Sequence, residues 1–143
     1  MKKIYFILFT ISTVCLLSVF AQNEDKFIDA LRTCSPLYKE SDTINVGGVN
    51  AISTKSMSGW NNNICVYKEI IKMNGMNITT TCNFTKKQTQ EIVSVADAYY
   101  LTMRYNSEKI DTSSPEAVKN NPLFNVMNKY LQDSSVCTMS GLE

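Results

Sequence analysis

The sequence predicts an α+β fold with an N-terminal helix, an antiparallel β-meander of three to four strands, two to three C-terminal helices packed on one sheet face, and two disulfides. Three observations carry this expectation. An apolar leader directs the chain out of the cytoplasm, Asn74-Gly75 sits between two β-rich runs, and helical periodicity replaces two-residue alternation after Thr85.

Met1-Lys2-Lys3, the apolar run from Ile4 to Phe20 and the exit Val19-Phe20-Ala21 have the three regions of a secretory signal peptide. The run spans about seventeen residues, at the lower limit for a bilayer span. The polar Gln22-Asn23-Glu24-Asp25 follows at once, so cleavage after Ala21 is expected rather than a retained anchor. Ser12-Thr13-Val14 ahead of Cys15 lacks the pattern of a lipidation site. Residues 22–143 then form a single secreted domain, periplasmic or extracellular, with no stable membrane span after cleavage.

The formal charge of +1 includes Lys2 and Lys3, so the mature chain carries 12 basic against 13 acidic side chains. With no basic block, it lacks the electrostatic footprint of a nucleic-acid binder. The chain contains no histidine, which removes the usual general base, the commonest metal ligand and every Ser-His or Cys-His nucleophile pair. No catalytic residue, metal ligand or cofactor is therefore assigned. Cys34, Cys65, Cys82 and Cys137 remain after the leader departs, an even number with long spacings and no Cys-x-x-Cys pair. In an oxidising compartment they read as two disulfides rather than as a thiol or zinc site.

Taken in order, Asn23 is the expected cap of a first helix, with Glu24 and Asp25 in its first turn. Phe27, Ile28, Leu31 and Cys34 make its apolar stripe before Ser35-Pro36 stops it. Thr43 to Val46 is a candidate strand ending at Gly47-Gly48, and Val49 to Trp60 alternates loosely as another. Asn61-Asn62-Asn63 turns the chain into a strand that begins near Ile64. Asn74-Gly75 then supplies the two positive-φ positions of a type I′ hairpin turn.

A two-residue loop there pairs Met73 with Met76, Ile71 with Ile78, Glu69 with Thr80, Tyr67 with Cys82 and Cys65 with Phe84. That face is mostly apolar. The other, with Lys68, Lys72, Asn77, Thr79, Thr81 and Asn83 around Val66 and Ile70, should look toward water. Thr85 and Gln88 form a capping box for a long helix with Ile92, Val95, Ala96, Tyr99 and Met103 at helical spacing, ending near Asn106. Ser114-Pro115-Glu116 marks a short helical start, and Asn121-Pro122 a firmer one with Leu123, Val126, Met127, Tyr130 and Leu131 as its buried stripe.

Cys65 and Cys82 share a face but lie two residues out of register, too far for a favoured bridge. Two connectivities remain open: Cys34 to Cys82 with Cys65 to Cys137, or Cys34 to Cys65 with Cys82 to Cys137.

Two residues are candidates for binding. Glu69 falls on the apolar face between Tyr67 and Ile71, where a carboxylate needs a partner; it either lies near the sheet margin, pairs with a cation such as Arg104, or lines a pocket. Trp60, beside Gly59 and the asparagine turn, is placed for recognition at a hairpin tip. The acids as a whole read as scattered surface charge without the facing pair that glycosidase chemistry needs. Asn77-Ile78-Thr79 and Asn83-Phe84-Thr85 match the N-glycosylation acceptor, but the Met-Lys-Lys leader has a bacterial look and both are expected to stay unmodified.

A lysine-led leader with a small cysteine-stabilised α+β domain resembles bacterial envelope proteins. The expectation is a non-catalytic monomeric module that binds a protein, peptide or cell-envelope polymer through the sheet's open face or the Trp60 tip. The alternatives are a periplasmic carrier or sensor of a small apolar ligand, with methionines as adaptable lining, and a histidine-independent carboxylate hydrolase.

Overall fold

The computed structural model describes residues 24–46, 48–106, 116 and 119–141. The leader, the expected Asn23 cap and the Ser114-Pro115 start lie outside the described residues. Helix α1 spans Glu24–Thr33, followed by strands β1 (Lys39–Val46), β2 (Val49–Asn61), β3 (Ile64–Met73) and β4 (Met76–Thr85). Helices α2 (Lys86–Asn106) and α3 (Pro122–Leu131) come next, and strand β5 (Cys137–Ser140) closes the chain.

The strands form one antiparallel sheet in the order β1-β2-β3-β4-β5, so every strand pairs with its neighbour in sequence. The β3–β4 register is the one that the Asn74-Gly75 turn dictates, from Met73 opposite Met76 to Cys65 opposite Phe84. Asn74 and Gly75 both take positive φ, at 48° and 82°. Asn62 and Asn63 do the same between β2 and β3, at 49° and 64°, which makes that connection a second tight turn with the same twist.

The sheet has five strands rather than three or four. The addition is β5, whose four residues pair with Thr79–Cys82 of β4. So short a run carries no alternation of its own, and it becomes a strand because its first residue is bonded to β4.

The helices pack their apolar stripes with the inner sheet face into one cluster. Phe27, Ile28 and Leu31 of α1, Ile92, Val93 and Ala96 of α2, and Leu123, Val126, Met127 and Tyr130 of α3 join Met57, Cys65, Tyr67, Cys82 and Phe84 of the sheet. Edge-to-face ring contacts lock its centre, Phe27 against Tyr67 and Phe84 against Tyr130.

The helix ends are fixed by local hydrogen bonds. Thr85 and Gln88 bond reciprocally, backbone to side chain in both directions, at the start of α2. Asn121 accepts from the Leu123 and Phe124 N–H groups at the start of α3, with Pro122 at the first helical position. At the end of α1 the Ser35 N–H reaches Ala30 O and the Cys34 N–H reaches Leu31 O. This is a Schellman closure with Cys34 at φ 49° where glycine is usual.

Disulfides join Cys34 to Cys65 and Cys82 to Cys137. The first ties the end of α1 to β3, and the second holds β5 on β4. With loops of 31 and 55 residues, each stabilises by about 4 kcal/mol in the chain-entropy treatment.

Glu91 of α2 binds α3 twice, accepting from Lys129 Nζ at 2.7 Å and from Tyr130 Oη at 2.5 Å. The Lys129 bond, then the Tyr130 bond, hold the Glu91 carboxyl below the ordinary glutamate range. A depressed carboxyl stabilises the fold above its unfolded pKa, and that contribution fades as pH falls through the folded value.

Two predictions follow from these ties. Replacing Cys82 and Cys137 by Ser should lower unfolding free energy by several kcal/mol and release β5, read by urea denaturation and by amide exchange in Thr79–Cys82. Glu91→Gln should flatten the loss of stability on acidification below about pH 4.3, measured as urea midpoints from pH 7 to pH 3.

Candidate functional site

The two faces of the sheet carry opposite charge. The strands hold three acids, Glu40, Asp42 and Glu69, and strand alternation with the observed register puts all three on the helix side. Of the four strand lysines, Lys39, Lys68 and Lys72 point the other way and only Lys55 points inward.

On the inner face a polar band crosses the strands. Glu40 lies opposite Lys55, Lys55 opposite Glu69, and Glu69 opposite Thr80, while Asp42 lies opposite Ser53. Apolar residues flank the band on both sides. Met57, Tyr67 and Cys82 belong to the main core, and Ile44, Ala51, Ile71 and Ile78 form a second buried cluster.

Glu69 is 5% exposed and sits in the middle of a central strand, not at the sheet margin. Ser53 Oγ donates to its Oε1 at 2.6 Å, and Tyr67 Oη approaches Oε2 at 3.4 Å. The side chain of Arg104 lies outside the described residues. Lys55 is 1% exposed, with its Nζ 3.6 Å from Asp42 Oδ2.

Tyr38, just before β1, donates its hydroxyl to Glu40 Oε2 at 2.9 Å. Burial first, then that hydrogen bond, and then the charges of Glu40, Asp42 and Glu69 push its phenol far above the usual range. The acids that looked scattered along the chain are thus gathered by register around Tyr38 and Lys55. Ser53 is fully buried, so its contact with Glu69 clamps the sheet instead of presenting a nucleophile to solvent. Among the described residues no group of three His, Cys, Asp or Glu side chains is arranged to hold a metal ion.

The outer face carries mostly hydroxyl, amide and lysine side chains, with Ile52, Val66 and Ile70 among them. One transverse row reads Lys39, Ser56, Lys68, Thr81 and Thr138, and the next reads Ser41, Thr54, Ile70, Thr79 and Ser140. Thr43, Ile52, Lys72 and Asn77 form a third. No acid interrupts these rows, and Ile52 stands 51% exposed among them. Asn77 and Asn83 are both exposed on this side.

Trp60 departs from this pattern. Gly59 adopts φ 81°, and between Met57 and Trp60 the register slips by one residue. This bulge brings Trp60 opposite Cys65 and so onto the helix side of the sheet, where it is 39% exposed at the end of β2. A Cβ on Gly59 would stand 3.4 Å from the Pro36 ring, so glycine serves both the backbone angle and the fit.

An open groove of about 270 Å³ runs between α1 and α2, lined by Arg32, Thr89, Gln90, Val93, Ser94 and Asp97. Arg32 spans it with two bonds to Asp97, at 3.1 and 2.7 Å. The ion pair is half exposed and satisfied within itself.

Ser53→Ala should destabilise the fold by about 2 kcal/mol by leaving the buried Glu69 carboxylate short of a donor, whereas Ser56→Ala on the outer face should change stability by less than about 0.5 kcal/mol. Urea midpoints of the two variants measure the difference. No protein-family model matches the chain, and neither a curated protein nor a solved structure matches it.

Proposed function

We propose that this chain is an exported, disulfide-stabilised, non-catalytic module that binds an anionic cell-envelope polymer through the outer face of its sheet. The observation that carries the reading is the charge sorting of the strands, with every strand acid turned inward and Lys39, Lys68 and Lys72 turned outward. A sheet face of this kind offers what an extended polyanion needs: ammonium groups for its charges, and rows of Ser, Thr and Asn that donate to its carboxylates and exchange hydrogen bonds with its hydroxyls.

Two disulfides suit an oxidising compartment, and no helix among the described residues is long and apolar enough to cross a membrane. The outer lysines stand on β1 and β3, on either side of the hydroxyl-bearing β2, which favours a long partner lying across the strands over a small ligand in a cavity. Trp60, on the opposite side and at the end of β2, belongs to the helix-side surface and takes no part in this contact.

The test uses purified mature protein and an acidic polysaccharide such as polygalacturonate, with uncharged dextran as the control. The wild type should bind the acidic polymer in a salt-sensitive manner and ignore dextran, and Lys68→Glu with Lys72→Glu should weaken binding by at least about tenfold while leaving the melting temperature unchanged. Equal retention on both polymers, or an unaffected double variant, removes this reading; binding of a protein from an envelope extract that survives the double variant points to a different surface.

A further inference from the structure

We propose that Lys55 and Asp42 close an intramolecular isopeptide bond between β2 and β1, with Glu69 as the neighbouring carboxylate that relays the proton. The inference stands independently of polymer binding.

The starting point is an electrostatic anomaly. Lys55 is among the most deeply buried side chains of the protein, and its ion-pair partner, Asp42 Oδ2, stands at 3.6 Å, longer than a hydrogen bond. A buried ammonium whose counter-charge stands off at that distance is costly. Condensation with the nearest carboxylate removes both charges and turns the pair into a neutral amide.

The register supplies the geometry. Asp42 and Lys55 lie on facing strands, on the same face and one pair apart, since Asp42 opposes Ser53 and Lys55 opposes Glu40. At this separation the amine needs only a side-chain adjustment to reach Cγ. Their surroundings differ in a useful way. Lys55 is sealed from solvent, while the Asp42 side chain is about one-third exposed, which leaves a route by which water can depart.

The chemistry balances without an oxidant or any co-reactant. Proton transfer frees the amine, Nζ attacks Asp42 Cγ, the N–C bond forms and one C–O bond breaks. Of the three ammonium hydrogens, one stays on the amide nitrogen and two leave with the Asp42 oxygen as water. Glu69 stands opposite Lys55 on the next strand, held by Ser53 and Tyr67 beyond ion-pair distance of Nζ, and a rotation off Ser53 lets it carry a proton from Nζ to the departing oxygen.

The experiment is intact mass spectrometry of the full chain, expressed with its leader, purified in its mature form and denatured without reduction. The mature protein should be lighter than its sequence with two disulfides by one water, about 18 Da, and tandem fragmentation should find a branched peptide joining Lys55 to Asp42. Asp42→Asn should give the same amide by losing ammonia, about 17 Da, whereas Lys55→Arg should show no loss. Glu69→Gln should fold, as judged by its two disulfides and circular dichroism, but retain the unreacted mass, with Glu69→Asp restoring closure in part. A wild-type mass equal to the sum with two disulfides overturns the proposal, as does a water loss that persists in Lys55→Arg. A Glu69→Gln variant that closes as fast as the wild type overturns the relay role of Glu69.

Discussion

A charged amine in the middle of a sheet's buried face is the constraint around which this structure is arranged. Lys55 cannot turn outward without shifting β2 by one residue, and that shift would expose Met57 and Ala51 and bury the serines of the opposite face. The strands on either side therefore answer it with acid, Glu40 from β1 and Glu69 from β3, while Asp42 approaches along the diagonal. Ser53 and Tyr67 then satisfy Glu69. A register error anywhere in β1–β3 would separate these charges inside a dry interior, so the polar band penalises misaligned sheets more severely than apolar packing alone would.

Collecting the acids inward has a second effect, on the other face. A sheet with one covered side usually shows mixed charge to water. Here the negative groups are consumed by the interior, and what remains outside is lysine among hydroxyls, amides and the apolar Ile52, Val66 and Ile70. The interior network and the exposed surface are consequences of one pattern of alternation, read from its two sides. The helices take no part in that division; they cover the main apolar patch and are themselves tied together through Glu91.

Much of this arrangement is legible in the sequence wherever a local signal fixes geometry. Asn74-Gly75 determines the β3–β4 register because both of its residues accept positive φ, and the capping pair Thr85 and Gln88 and the Asn121-Pro122 start locate α2 and α3 by their own hydrogen bonds. The same register identifies Glu69 as an acid on an apolar face. What stays hidden depends on partners distant in the chain. The burial of Lys55 stays hidden, since Ala51, Ser53, Lys55 and Met57 form too weak an alternation to reveal which side is buried. Trp60 changes sides through the Gly59 bulge, an inserted residue that has no signature beyond the glycine itself. β5 exists only through its pairing with β4, and the gathering of Glu40 and Asp42 with Glu69 requires the β1–β2 and β2–β3 registers together.

The two sulfur connections follow the order of the chain. Counting from Cys34, the first thiol bonds the second and the third bonds the fourth. A polypeptide threaded N-terminus first into an oxidising space presents Cys34 and Cys65 as a complete native pair before Cys82 emerges. In such a passage Cys65 and Cys137 each arrive to find the proper mate already waiting, so oxidation in order of emergence yields the correct topology without a shuffling step.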